Sequence, residues 1–248
     1  MSRKPSNPIP GLKYHTFDFE RGIEHLELYG VRYYVAFSEE ALAEVAEQPD
    51  VFEEVAVSGP FHVYELPRFD LVDVATHQPA VYEDGRGASL FSTVLGVPQS
   101  IITGEDLAAE FGELAFEWYE EIELVDRLVA ADGPPEWPRI EGLEDLPLVP
   151  LGEHDAVTNV VITDDTLTFD TTAIGVPHLV KISYFPNWKA EGATGPYRAT
   201  PSLMMVVPTS EHVELSFERT WAEWLGILMT VVGLAVTLPF AWRQMRKP

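Results

Sequence analysis

The stretch His212 to Phe217, HVELSF, alternates apolar and polar residues. Val213, Leu215 and Phe217 fall on one side and Glu214, Ser216 and Glu218 on the other, the pattern of a strand in a sheet with one dry face and one wet face. Working back along the chain, Ala156 to Thr163, Thr166 to Thr171, His178 to Tyr184 and Leu203 to Val207 also read as extended, with Asp164 and Asp165 as the turn between the first two. Short strands at this spacing, punctuated by Gly and Pro, predict an antiparallel sandwich or jelly-roll-like module.

Immediately C-terminal to that strand the character changes. Trp224 to Trp242, WLGILMTVVGLAVTLPFAW, is a charge-free run of about 19 residues, which as a helix matches the ~30 Å hydrocarbon core of a bilayer. Trp221, Trp224 and Trp242 bracket it where interfacial aromatics sit, and Arg243, Arg246 and Lys247 follow. A soluble helix would keep a polar face, which this run lacks. A single membrane helix is the expectation, with the basic end cytoplasmic and the folded region extracytoplasmic. Met1 to Gly11 is proline-rich, without the apolar core of a signal peptide. A tail-anchored cytosolic protein fits that start but runs against the charge asymmetry.

N-terminal to the strands, Leu107, Phe111, Leu114, Trp118, Ile122, Val125 and Val129 recur at steps of three and four. The spacing predicts a long amphipathic helix, opened by a capping box at Thr103 and Asp106 and closed by Asp132 to Pro135. Its Phe111 and Trp118 belong to a core stripe. Earlier still, Val31 to Phe37 (VRYYVAF) reads as a strand. Ser38 reads as the N-cap of a helix to about Gln48 with Leu42 and Val45 inward. Phe52 to Val57 and Phe61 to Leu66 flank Ser58, Gly59 and Pro60 as a hairpin, followed by a strand in Phe69 to Ala75. The fold class is therefore α+β: a small N-terminal α/β unit, a long amphipathic helix, a C-terminal antiparallel β-sandwich-like module and a single C-terminal transmembrane helix. As segments these are a flexible tail (1–14), the α/β unit (15–102), the helix with the sandwich (103–220), the membrane helix (221–243) and a basic cytoplasmic tail (244–248).

Composition narrows the function classes. Forty acidic against sixteen basic side chains give a net charge of −24, which excludes a large cationic footprint for nucleic acid. The excess is spread over the folded region, as in proteins adapted to high salt, where a short Debye length tempers self-repulsion; an acidic mesophilic protein is the alternative. The chain has no cysteine, so disulfides and thiol chemistry are excluded. Phosphate-binding loops, dinucleotide fingerprints, nucleophile elbows and metalloprotease helices are all missing from the sequence. The seven histidines have no ligand spacing, and Asp164, Asp165 and Asp170 read as a solvated turn rather than a calcium loop. No catalytic residue, metal ligand or cofactor is assigned. Carboxylate pairs suited to acid and base work are plentiful, with none singled out.

The candidate contact residues are Tyr184, Asn187, Trp188, Tyr197 and Arg198, within SYFPNW (183–188) and GPYR (195–198). Exposed aromatics beside Asn and Arg stack on sugar faces and bond hydroxyls, and such residues gather on loops of rigid scaffolds. The alternative is that Tyr184 and Trp188 plug the end of the sandwich.

These residues also carry a resemblance. GVRYYVAFS (30–38), VSGPFHVYEL (57–66), GPPEWPRI (133–140) and above all Gly175 to Thr209, with the closing helix, resemble the C-terminal extracytoplasmic region of large polytopic membrane proteins of the YfhO type. These are similar to GT-C-like glycosyltransferases, often labelled as related to 6-pyruvoyl-tetrahydropterin synthase. The resemblance implies an extracytoplasmic domain before the last membrane helix of a glycan-transfer protein. No catalytic residue carries over, since such enzymes place theirs in an early extracytoplasmic loop, and no histidine cluster supports pterin chemistry. The expectation is a membrane-anchored accessory domain docked on a polytopic glycosyltransferase-like partner in envelope glycan assembly, near glycan or lipid-linked sugar. It would be the separated end of a larger protein or a partner encoded apart. The alternative is a self-contained envelope carbohydrate-active enzyme using a carboxylate pair.

Overall fold

The computed structural model describes residues 18–66, 69–83, 106–155, 157–219 and 221–245, with side chains in the last helix described at 223–235 and 237. The N-terminal tail and the capping box at Thr103 lie outside the described residues.

The chain opens with α1 (Phe19–Leu28), capped by Asp18, whose carboxylate accepts the Arg21 amide at 3.2 Å. β1 (Tyr33–Ala36) follows, then α2 (Glu39–Ala46), then the hairpin β2 (Glu53–Ser58) and β3 (Phe61–Glu65). Ser38 caps α2 as read from the sequence, its Oγ accepting the Ala41 amide at 3.2 Å. The three strands form an antiparallel sheet in the order β1-β3-β2. Phe19, Ala36, Val45, Phe52, Tyr64 and Leu66 make the small core between this sheet and the two helices. Within this unit, α1 is the element that the sequence pattern does not predict.

The body is larger. β4 (Val72–Val74) and β5 (Ala80–Tyr82) precede α3 (Asp106–Glu120), and β6 (Val129–Ala130), β7 (Arg139–Ile140), β8 (Thr158–Ile162) and β9 (Thr166–Asp170) come next. β10 (His178–Ser183), β11 (Trp188–Glu191), β12 (Ala193–Ala199), β13 (Leu203–Pro208) and β14 (His212–Phe217) complete the strands, and α4 (Trp221–Met245) ends the described chain. One sheet has seven strands, β4-β10-β13-β12-β6-β5-β7, antiparallel except around β5; the other has four antiparallel strands, β11-β14-β9-β8.

Alternation along the strands sorts the side chains into two cores. Val180, Met204 and Val206 meet Leu167, Phe169, Val213 and Leu215 of the second sheet, all at 0 % exposure, and this filled layer is the sandwich. Leu179, Leu203 and Met205 point the other way, against Phe111, Leu114 and Trp118 of α3. The result is α+β with three layers: helix, seven-stranded sheet, four-stranded sheet. Gly192, at φ 77, turns β11 into β12 and so passes the chain from one sheet to the other.

The long helix read as far as Val129 is shorter than its periodicity. Glu121 leaves helical geometry at φ −104, ψ 88, a 3-10 turn covers Ile122–Leu124, and Val129 opens β6 instead. The Trp118 indole N–H donates to the Arg127 carbonyl at 2.9 Å, pinning the returning chain beneath the helix it has just left. Ile122 and Val125 keep the helical spacing through that turn, which is why the pattern runs on past the true end. β4 also joins the seven-stranded sheet, paired with β10, rather than extending the N-terminal one.

Leu28 of α1 is buried in the core beneath α3, and polar contacts fasten the N-terminal unit to the body as well. His25 stacks on Tyr119 of α3 at 4.0 Å between ring centroids and bonds the Tyr119 carbonyl at 3.1 Å. Lys181 of β10, with a side chain 5 % exposed, reaches Asp73 at 2.7 Å and donates to the Glu27 carbonyl of α1 at 2.8 Å.

Candidate functional site

The candidate contact residues are divided by the fold. Tyr184 and Asn187 lie in the loop from β10 to β11 and Trp188 opens β11, at the end of the sandwich from which α4 departs. Tyr184 and Trp188 are half-buried against the sandwich core, and the Trp188 ring stands edge-on to Phe217 at 5.4 Å. Asn187 joins the loop to the helix. Its backbone carbonyl accepts the Glu218 amide at 3.0 Å, while its Nδ2 donates to the Glu218 carbonyl at 2.9 Å and to the Glu223 carboxylate, in the first turn of α4, at 3.0 Å.

Tyr197 and Arg198 sit on β12 instead. Tyr197 packs edge-on to Trp137 at 5.6 Å in the core beneath α3. Arg198 lies 4.9 Å over the Phe111 ring, and burial pulls its guanidinium below the usual range, partly offset by the Tyr184 phenol. Burial raises Tyr184 in turn, with the Asp132 charge adding to it and Arg198 opposing it. Thus Tyr184 and Arg198 sense one another, but the five do not converge on one exposed surface; most of their ring area is spent on packing.

The loop does expose other aromatic surface. Phe185 is 54 % exposed and Phe217 42 % exposed, with their rings edge-to-face at 6.4 Å. Phe217 continues the inward alternation of β14, yet as the last residue of its strand it stays partly exposed beside Phe185 and Trp188. Arg219 follows, its guanidinium 5.6 Å over the Trp224 ring.

α4 itself is unlike the rest of the molecule. Every described side chain from 223 to 235, on all sides of the helix, is exposed. Its polar side chains turn inward on their own backbone: Thr230 donates to the Gly226 carbonyl and Thr237 to the Gly233 carbonyl, both at 2.8 Å. Among the described residues no helix is both long and apolar enough to cross a membrane. The backbone helix of 25 residues is longer than its described side chains, and at ~1.5 Å per residue it extends ~37 Å.

A second apolar surface lies on the N-terminal sheet. Tyr33 and Val35 of β1, with Phe37 just beyond it and Phe61 of β3, lie on the face turned away from the helices and are 46 to 50 % exposed. Phe37 and Phe61 touch at 5.6 Å. The opposite face of the same strands, with Tyr34, Ala36 and Tyr64, is the one that packs on α1 and α2.

Two polar groupings on the body bear on chemistry. A shallow cleft of ≈ 220 Å³ beside α3 is bordered by Tyr82 and by Glu113, Glu117, Glu141 and Glu144, all four carboxylates exposed. At the far end of the sandwich, Asp170 accepts from Asn159 at 2.7 Å and pairs with His212 at 2.6 Å, and these bonds, the Asn159 one foremost, hold its carboxyl below the usual range. Asp164 and Asp165 are at the opposite end of β9 from Asp170, so the three do not form one oxygen cage. Among the described residues no three histidine, aspartate or glutamate side chains are placed to hold a metal ion.

The chain matches no family model, no curated protein and no solved structure.

Proposed function

We propose that this chain is a membrane-tethered accessory domain of envelope glycan assembly: α4 fixes it in the bilayer, the acidic body stands on the extracytoplasmic side, and the body docks on a polytopic, glycosyltransferase-like membrane protein. The observation that carries the reading is the helix that exposes apolar side chains in every direction. Eight large apolar side chains between Trp224 and Leu234 are more than 40 % exposed. At ~1.5–3 kcal/mol for full burial of each, leaving them in water forgoes on the order of 10 kcal/mol even after allowance for partial exposure, comparable to the stability of a whole domain. Lipid removes that cost, and the intrahelical bonds of Thr230 and Thr237 leave no hydroxyl unpaired in hydrocarbon. Arg243, Arg246 and Lys247 set the direction by the excess of basic residues on the cytoplasmic side.

The open face of the N-terminal sheet, with Tyr33, Val35, Phe37 and Phe61, supports a docking role, because apolar side chains gathered on one sheet face mark interaction surfaces. The class of partner rests on the sequence resemblance. Co-purification from detergent extracts tests it: the chain should leave the membrane with a larger polytopic protein. Recovery only as an independent single-span protein, with no glycan bound, refutes the partnership. Protease added to intact cells should digest the body; a protected body would place it in the cytosol.

The cleft bordered by Glu113, Glu117, Glu141 and Glu144 supports a second reading, an envelope carbohydrate-active enzyme using a carboxylate pair. The cleft is open to water and the sandwich is filled, so the tethering role has the stronger support. Hydrolysis of envelope glycan that is abolished by Glu113→Gln or Glu141→Gln would favour the enzyme.

A further inference from the structure

The root of α4 has a geometry that fixes more than the anchor. Glu223 is in the first turn of the helix and Trp224 follows it, so if α4 crosses the bilayer these two lie at the boundary between water and hydrocarbon. Asn187 is bonded to the Glu223 carboxylate and to the backbone of Glu218, and it therefore sits at the same depth. Phe185 is two residues from Asn187, within about 7 Å of chain. Phe217 touches both Phe185 and Trp188. The interfacial layer between hydrocarbon and bulk water is itself about 5–8 Å deep on each side.

We propose that Phe185 and Phe217 are seated in the headgroup layer of the bilayer that holds α4, so that the sandwich stands on the membrane on this rim instead of swinging from a flexible stalk. This rests on the reading of α4 as the membrane anchor and deepens it. The occupant of the rim is lipid. The two rings are exposed in the body, lie beside the start of α4, and carry apolar surface of the kind that gains by burial at the headgroup and acyl boundary. Lys189, exposed one residue after Trp188, and Arg219, over the Trp224 ring, supply cations whose stems can lie along the same layer. Glu218 and Asp165 share the rim, so the contact is made by aromatic surface and does not require anionic lipid. The Asn187 bonds give the rim its rigidity, because they tie the loop to both the strand end and the first helical turn.

The absence of cysteine makes the test direct. The full chain, carrying a single introduced cysteine labelled with an environment-sensitive fluorophore, is reconstituted into phosphatidylcholine vesicles containing lipid with a nitroxide on the headgroup or at mid-chain. Three sites are compared: Phe185→Cys on the rim, Met229→Cys in the helix, and Leu148→Cys. Leu148 is 66 % exposed and lies near the opposite end of the body, where Leu151 bonds to Thr76 beyond β4. The expected result is mid-chain quenching at 229, headgroup quenching at 185 several-fold above that at 148, and little quenching at 148. Mid-chain quenching at 229 with site 185 no more quenched than 148 overturns the seating of the rim while leaving the anchor intact. No quenching at 229 overturns the anchor and this inference with it.

Discussion

Replacing Lys181 should loosen the N-terminal unit from the body, and the structure sets the size of the effect. The ammonium makes one bond to a half-exposed carboxylate, Asp73, and one to a backbone carbonyl, Glu27. The first is close to a surface pair, worth about 0–1 kcal/mol. The second is a charge-assisted bond from a side chain that is 5 % exposed, worth about 1.5–3 kcal/mol, from which the recovered hydration of a truncated ammonium must be subtracted. Lys181→Met keeps the buried stem and should cost about 1–2 kcal/mol, whereas Lys181→Ala also removes methylenes packed at Gly30 and should cost about 3–4 kcal/mol. Asp73→Asn should cost no more than about 1 kcal/mol. Urea unfolding of the full chain in detergent micelles gives the differences, and hydrogen exchange at the α1 amides locates them. If Lys181→Met is within about 0.5 kcal/mol of the parent, or Asp73→Asn costs as much as Lys181→Ala, the tie to α1 is not what the ammonium supplies.

Three further outcomes follow from other parts of the molecule. His178 is fully buried and neutral, with Nδ1–H donating to the Val176 carbonyl and Nε2 accepting from Thr171, and burial lowers its pKa, as it does for His25. Their contribution is therefore complete above the unfolded-state value of about 6.5 and is lost as pH falls below it, so the urea midpoint should drop from about pH 6.5 downward, less steeply in His178→Asn; a flat midpoint to pH 5 would contradict this. Phe169→Ala, in the middle of the sandwich at 0 % exposure, should destabilise by about 3–5 kcal/mol, and a loss under about 1 kcal/mol would mean that the two sheets are not packed as described. Val232→Arg, near the middle of α4, should cost about 2.5–3.5 kcal/mol of membrane insertion and reduce the carbonate-resistant fraction, while Leu148→Arg leaves it unchanged; equal retention of both would count against a lipid environment for α4.

Most of the sandwich was legible because its strands alternate and its turns carry Gly, Pro or Asp: β8, β9, β10, β13 and β14 fall where the pattern places them. The hairpin of β2 and β3 and the Ser38 cap were equally plain, since each has a local chemical signal. The failures share a physical cause. β6 and β7 have two residues each, too short for any period to register, and their place is set by the parallel pairing to β5 that only the tertiary fold supplies. β11 and β12 were hidden in the aromatic segment because Gly192 and Gly195, read as loop residues, are the points at which a continuous pair of strands turns between sheets and bulges. In the candidate contact segment, composition and exposure part company. Tyr197 and Trp188 carry the strongest composition signal and pack on the cores, whereas Phe185, in the loop after β10, and Phe217, the last residue of β14, are exposed by their positions, which composition does not encode.

The placement of these surfaces follows from one strand and the loop after it. Lys181, in the second half of β10, holds α1 and with it the N-terminal sheet whose outer face is apolar. Six residues later Asn187 holds the first turn of α4. Between them lie Ser183, Tyr184 and Phe185, with Tyr184 bonded through its amide to the Ser202 carbonyl and packed into the sandwich. The apolar face of the N-terminal sheet and the first turn of α4 are thus fastened to neighbouring points of β10 and the loop after it. Under the proposed tethering, a body on a flexible linker would present that face at all angles to the bilayer, whereas these contacts would restrict the range. The accessory role proposed above would gain from that restriction, because part of the orientational entropy of docking on a partner in the same membrane would be spent before the two meet.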